Sequence, residues 1–228
     1  MLWSRNTQLH YPFQNTALDY SSYARHGTVN GSGVYATKPN AGRCLYFDGV
    51  GDYVSTPSFG LTGTVVVFAA WLRLKPHATI IQAILADGFP GSSTVGFLRI
   101  FRNSIEWGTN GLLFTYANGI AQAYAGDGSF FLGYSDVWTH AAFVCDYAGK
   151  KTYTFRNAIH TATSNMSGTP VFPTTNQAKV VGTWGGPADI ITDGYLQEVY
   201  LGTRLTCPPV AVLTANANRL MLGMNPIW

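Results

Sequence analysis

Val65-Val66-Val67-Phe68-Ala69-Ala70-Trp71-Leu72-Arg73-Leu74 alternates, and the alternation decides the fold class. Phe68, Ala70, Leu72 and Leu74 fall on one face of an extended chain, and Ala69, Trp71, Arg73 and Lys75 on the other. One face is core; the other is a sheet surface that ends in charge. Pro76 has no N–H to donate and stops the strand. Outward from this stretch, runs rich in Val, Ile, Phe, Tyr and Thr recur between Gly, Asn, Asp and Pro, the pattern of an all-β chain. The clearest are Arg43–Phe47, Asp52–Thr56, Ile80–Ala86, Gly96–Arg102, Leu112–Tyr116, Trp138–Asp146, Lys151–Arg156, Lys179–Gly182 and Gly194–Leu201. Asp48-Gly49-Val50-Gly51 makes a tight connection, because its glycines accept positive φ.

One helix is expected. Pro208-Pro209 leads into Val210–Leu220, where Val210, Leu213, Ala217 and Leu220 recur at helical spacing, and Thr206 is the candidate cap. Residues 221–228 read as an extended tail. Residues 117–136, rich in Ala, Gly, Tyr and Ser, read as a long surface insertion, and binding sites gather on such loops. No linker or repeat interrupts the chain, so 1–228 is read as one domain.

Only 11% of residues are charged, against about 25% in ordinary soluble domains, so much of the surface must be Ser, Thr, Asn, Tyr and Gly. Such a surface favours packing against neighbours, and a homo-oligomer is expected. The net charge of +3 comes from scattered basic residues with no run beyond Lys150-Lys151, which sets nucleic acid aside as a partner. The longest apolar stretch, Val65–Leu72, is far short of the ~20 residues of a membrane helix. Met1-Leu2-Trp3-Ser4-Arg5 lacks the basic and apolar regions of a signal peptide. The expectation is a chain with no membrane insertion and no ordinary secretory route.

Cys44, Cys145 and Cys207 are odd in number and cannot all pair within the chain. Two readings stay open: buried free thiols, which suit a reducing cytoplasm, or a Cys44–Cys145 bridge with Cys207 left over.

Catalytic chemistry is thinly supplied. Glycoside hydrolysis needs two carboxylates across a cleft, ~5–10 Å apart, and the chain has two Glu, Glu106 and Glu198. There is no G-x-S-x-G string, and His10, His26, His77, His140 and His160 are dispersed, none at zinc-ligand spacing. No catalytic residue is assigned, and no enzyme is expected. Sugar binding needs exposed rings that stack on C–H faces. Trp107, Tyr116, Tyr124, Tyr134 and Trp184 are the candidates, because Gly-rich or polar segments surround them. The same rings read equally well as packing against loops or a neighbouring subunit.

Four segments in order resemble laminin-G-like domains of the concanavalin-like superfamily. Leu9-His10-Tyr11-Pro12-Phe13, with Asp19 to Val29, resembles the opening strand and a "D-x-S-x-x-x-x-H-G" loop. Leu45 to Val54 resembles an "F-D-G-x-x-D-Y-V" hairpin. Ala70-Trp71-Leu72 and Trp138-Thr139-His140-Ala141-Ala142 resemble "A-W-V" and "W-x-H-V-A" strands. Asp193-Gly194-Tyr195-Leu196-Gln197-Glu198-Val199 resembles "D-G-x-I-D-E-V". The resemblance implies an all-β, two-sheet antiparallel jelly-roll sandwich with one short C-terminal helix. The "E-x-D-x-x-E" string of concanavalin-like glucanases is missing.

Members of that superfamily serve as glycan-binding modules, adhesion domains, enzyme appendages and virion surface proteins. Asn225-Pro226 after a helix is similar to an "N-P-W" ending in tailed-phage members. What the resemblance implies is a non-enzymatic virion protein: a capsid decoration, fibre or tail-associated lectin-like domain. Its partners would be other virion proteins and a cell-surface glycan, and it would assemble in the host cytoplasm. The alternative is a carbohydrate-binding module with a calcium-assisted site. The family often holds Ca²⁺ near the sheet rim, which nominates Asp19, Asp48, Asp52 and Glu198; as turn residues these Asp also bond their own backbone. Three departures stand out: Asn157-Ala158 replaces the hairpin Asn-Gly, Gln197-Glu198 replaces an acidic pair, and Thr152, Thr154 and Arg156 take inward positions that are usually aliphatic.

Overall fold

A computed structural model describes residues 6–38, 42–76, 81–87, 98–103, 110–117, 122–184, 190–224 and 226, with the backbone alone for 103, 122, 184, 190 and 191. In chain order the strands are β1 (Thr7–Tyr11), β2 (Thr28–Asn30), β3 (Val34–Thr37), β4 (Arg43–Asp48), β5 (Tyr53–Phe59), β6 (Val65–Leu74), β7 (Gln82–Asp87), β8 (Arg99–Asn103) and β9 (Gly111–Ala117). They continue with β10 (Gln122–Asp127), β11 (Thr139–Asp146), β12 (Lys151–Arg156), β13 (Ile159–Asn165), β14 (Gln177–Val181), β15 (Thr183–Trp184), β16 (Ile190–Ile191) and β17 (Asp193–Arg204), and the helix is α1 (Val210–Met221). Among the described residues the first sheet runs β13-β12-β11-β6-β17-β4-β3, with β1 also on β17, and the second β10-β9-β8-β7-β14-β5-β2. Neighbours pair antiparallel throughout both sheets. The fold is an all-β sandwich with one C-terminal helix, consistent with a concanavalin A-like jelly roll.

The sandwich closes because the alternation in β6 is met from across. Val66, Phe68, Ala70, Leu72 and Leu74 share one cluster with Ile84, Leu85, Ile100, Leu112 and Phe114 of the second sheet. Fully burying a Leu or Phe contributes about 1.5–3 kcal/mol, so this inner layer is the main stabilising term. The opposite face of β6 is divided. Val65, Val67 and Ala69, with Ala142, Val144, Phe155 and Tyr200, lie under Leu213, Ala217 and Leu220 of α1. Beyond the helix, Trp71 and Arg73 are half-buried. The helix begins after Pro209 with no side-chain capping bond, so Thr206 does not cap it: the two prolines separate Thr206 from the first turn. Of the expected tail, residues 225, 227 and 228 lie outside the described residues, as do residues 80, 96 and 97 at the starts of two expected strands.

β17 changes neighbours partway. Its first residues pair with β4 and its later ones with β1, with a register shift between Gln197 and Tyr200. Glu198 sits in that shift at φ 53°, a left-handed conformation that costs a non-glycine residue about 1 kcal/mol or more. The bulge turns its carboxylate toward β1.

Several expectations are corrected or resolved. Residues 117–136 are not a free surface insertion: β10 pairs along β9 from Gln122–Ala117 to Asp127–Leu112, and Phe130 and Phe131 are buried. The inward residues of β10 are Ala123 and Ala125, too small to advertise a strand. All three cysteines are free. A Cys44–Cys145 bridge is geometrically barred, because Cys145 joins the inner core while Cys44 alternates with inward Leu45 and points outward. Asn157 and Ala158 both take positive φ, 50° and 64°, so the hairpin adopts the type I′ form despite its alanine. Thr152 and Thr154 do face inward, opposite Cys145 and Phe143, and are buried.

Candidate functional site

The half of the first sheet that α1 leaves open carries an aromatic row. Tyr46 on β4, Tyr195 on β17 and Arg73 on β6 are register partners, while their strand neighbours Leu45, Phe47, Leu72, Leu74 and Leu196 point into the core. Alternation therefore sends all three side chains outward. The Tyr46 and Tyr195 ring centroids are 4.8 Å apart, and Trp138, just before β11, is 6.1 Å from Tyr195. All three rings are half-buried, so each keeps a face or edge toward solvent. A cleft of about 130 Å³ opens here between Ala36, Thr37, Arg73, Trp138 and Tyr195.

Cations frame the row, and two are matched. Arg73 Nε lies 2.9 Å from Asp136 Oδ1, and its guanidinium is 5.6 Å from the Tyr195 centroid. That hydrogen bond raises the guanidinium's affinity for its proton. Lys75 Nζ is 2.8 Å from Asp193 Oδ1 and donates to Tyr46 Oη at 3.1 Å. Lys75 thus anchors the Tyr46 hydroxyl, and Arg73 lies beside the Tyr195 ring.

The next residues along the same face form the floor. Trp71 is the register partner of both Gln197 and His140, and its Nε1 donates to the Met221 carbonyl at the end of α1. Lys38 Nζ lies 3.5 Å from the Trp71 centroid and 4.7 Å from that of Trp138. Burial, helped by the Lys38 charge, lowers His140 to about 3, so its imidazole is neutral near pH 7.

Of the five rings nominated from sequence, Tyr116 is corrected: it is fully buried, stacked on Phe114, and its hydroxyl accepts the Ser167 N–H. It presents no face to a sugar, because it belongs to the inner side of β9. Tyr124 is half-buried with Phe101 edge-on at 6.2 Å. Tyr134 is half-buried with the Arg156 guanidinium 4.2 Å over its ring, which covers one face. Trp107 and the Trp184 side chain lie outside the described residues, as do His77 and Glu106.

The calcium set is divided. Asp19 is buried and accepts the backbone N–H groups of His10, Ser21 and Arg25 and the Ser21 hydroxyl. Asp48 accepts from Val50 and Gly51, and Asp52 from Ser32 and Asp48, so these two close their own hairpin. Glu198 meets His10 Nε2 at 2.6 Å. Among the described residues no group of three or more His, Cys, Asp or Glu is placed to hold a metal. Oxygens already engaged by loop donors do not fit an ion that asks for 6–8 oxygen ligands.

Sequence reasoning passed over Tyr46, Trp138 and Tyr195 because each sits inside a segment that reads as fold signature. The signal was their period-two placement opposite core residues. Among the described residues no helix is long and apolar enough to cross a membrane.

No curated protein shows significant sequence similarity to the chain. Its shape is close to domain 4 of AbnA, a GH43 extracellular arabinanase from Geobacillus stearothermophilus solved in complex with arabinotriose. That likeness has a TM-score of 0.67 at 16% identity and covers 95% of this chain and 98% of that one. A botulinum neurotoxin type C structure, from work on its entry through two ganglioside molecules, aligns with TM-score 0.69 at 11% identity over 96% of this chain and 51% of the other. The binding domain of botulinum neurotoxin DC in complex with rat synaptotagmin II aligns at 0.66 and 11%, over 96% of this chain and 51% of the other. The chain thus spans about half of each toxin chain, and these likenesses show the fold alone. The profile of the concanavalin A-like lectin/glucanases superfamily matches residues 48–206, well over half of the sequence, and the chain belongs to that superfamily.

Proposed function

We propose that this chain is a non-catalytic binding module that takes a glycan on the open outer half of its first sheet. The observation that carries the reading is the row Tyr46–Tyr195–Trp138, three half-buried rings in contact range and flanked by Arg73 and Lys75. Sugars present flat C–H faces to such rings, and the flanking ion pairs offer polar atoms to the hydroxyls. The arabinotriose-bound and ganglioside-dependent neighbours support a glycan as the ligand class. The missing E-x-D-x-x-E string of concanavalin-like glucanases supports a non-catalytic role. A glycan array probed with the wild-type chain tests the reading. Hits that weaken about tenfold or more in Trp138→Ala, equivalent to about 1.4 kcal/mol, bear it out; hits indifferent to Trp138 sink it.

Assembly with other virion proteins, or into a homo-oligomer, is the second reading. The low charge content, 11% of residues, favours contact with a further protein surface. Light scattering across concentrations separates the two: a monomer at every concentration removes the homo-oligomer from this reading.

A further inference from the structure

The open face carries two clefts, and Lys38 touches a wall of each. One, of about 210 Å³, lies between Lys38, Trp71, Gln197, Glu198 and the end of α1. The other is the cleft of about 130 Å³ beside Trp138 and Tyr195. The Lys38 Nζ is 3.5 Å from the Trp71 centroid and 4.7 Å from that of Trp138. The residue is 6% exposed, yet among the described residues Nζ has no carboxylate within ion-pair distance and no hydrogen-bond acceptor. Arg73 and Lys75 on the same face are matched, by Asp136 and Asp193.

Ring faces stabilise a cation, so Lys38 is held in its charged form, but they offer its N–H groups no acceptor and leave the charge unbalanced. Burial, opposed by the charges of Cys44 and Glu198, lowers the amine to about 8, and it is still mostly protonated near pH 7. A positive charge drawn largely out of water without a counterion gains most from an anion. Glu198 does not supply one: its carboxylate lies outside ion-pair distance of Lys38 and is engaged by His10 at 2.6 Å. The cleft beside Trp138 is lined by Ala36, Thr37, Arg73, Trp138 and Tyr195, none of them acidic. An anionic group entering there meets no carboxylate of the lining.

We propose that the glycan taken by the aromatic row carries an anionic group, a carboxylate or a sulfate, and that Lys38 selects for it. The inference rests on the glycan reading above and names the class of sugar. A ring stacked on Trp138 brings its substituents toward an ammonium 4.7 Å from that centroid. Charge-assisted hydrogen bonds from Nζ then reach the acceptor that the chain itself does not provide. A neutral sugar offers hydroxyls alone and leaves the charge of Lys38 unbalanced.

The test is a glycan array that carries acidic glycans beside their neutral counterparts: uronates beside their methyl esters, and sulfated glycans beside unsulfated ones. The wild-type chain is expected to bind an acidic form about tenfold or more tightly than its neutral counterpart. Hits among the uronates or among the sulfates identify the anion, and either bears the proposal out. Lys38→Met, which keeps an apolar stem over Trp71, is expected to abolish the preference, and Lys38→Arg to retain it. Neutral counterparts bound as tightly as acidic forms overturn the proposal, and that comparison needs no variant to fold. If those neutral hits still depend on Trp138, the aromatic-row reading stands while this one falls; no hit of either kind removes both.

Discussion

On the outer face of the first sheet, β6, β11 and β17 cross two unlike regions. Under α1 they carry Val65, Val67, Ala69, Ala142, Val144 and Tyr200, all at most 3% exposed. A few residues further along the same strands they carry Trp71, Arg73 and Tyr195, all half-buried, with Trp138 at their edge. The covered region is what packing demands: small and branched side chains that let a helix approach. The open region has no such demand, yet it holds the larger rings, flanked by the Arg73–Asp136 and Lys75–Asp193 ion pairs. The large aromatic area left open is the surface proposed above to bind a glycan, whereas the covered half serves stability. Each half should therefore fail differently when cut.

The largest effect belongs to the covered half. Phe155→Ala, at a fully buried position under the helix, should cost about 3–5 kcal/mol in chemical denaturation, and a loss below 1 kcal/mol would break the division. The floor of the open half responds to acid. His140 is held neutral down to about 3, while the unfolded chain protonates it near the ordinary 6.5. Between these values the unfolded state binds the extra proton, so stability falls as pH drops, by up to about 1.4 kcal/mol per pH unit. Denaturation curves across that range should show the slope in wild type and a shallower one in His140→Gln. Ala158→Gly lies outside both halves and relieves a positive φ at the β12–β13 turn, so thermal melting should show a gain of about 0.5–1 kcal/mol and unchanged glycan binding. Smallest of all, EDTA should shift neither melting nor binding, since the three Asp nominated for calcium accept bonds from their own loops and Glu198 pairs with His10.

The legibility of these regions in the sequence follows the same division. The alternation of β6 and the spacing of Leu213, Ala217 and Leu220 were readable because burial imposes a period. β10 was not, because Ala123 and Ala125 carry little hydrophobic signal and a glycine-rich composition resembles a loop. Tyr116 was misjudged for the opposite reason: Leu112 to Ala117 is buried on both faces, so no alternation separates inward from outward rings. Glu198 was nominated as an ion ligand by its place in a motif. The bulge that turns it toward His10 depends on a backbone conformation that residue type alone does not announce.

The most direct test of the binding surface is isothermal titration of the best array glycan into wild type, Tyr195→Ala and Leu213→Ala. The account predicts that Tyr195→Ala loses about tenfold or more in affinity with melting changed by only about 1 kcal/mol, while Leu213→Ala melts earlier but binds normally when folded. Wild-type affinity in Tyr195→Ala would contradict it.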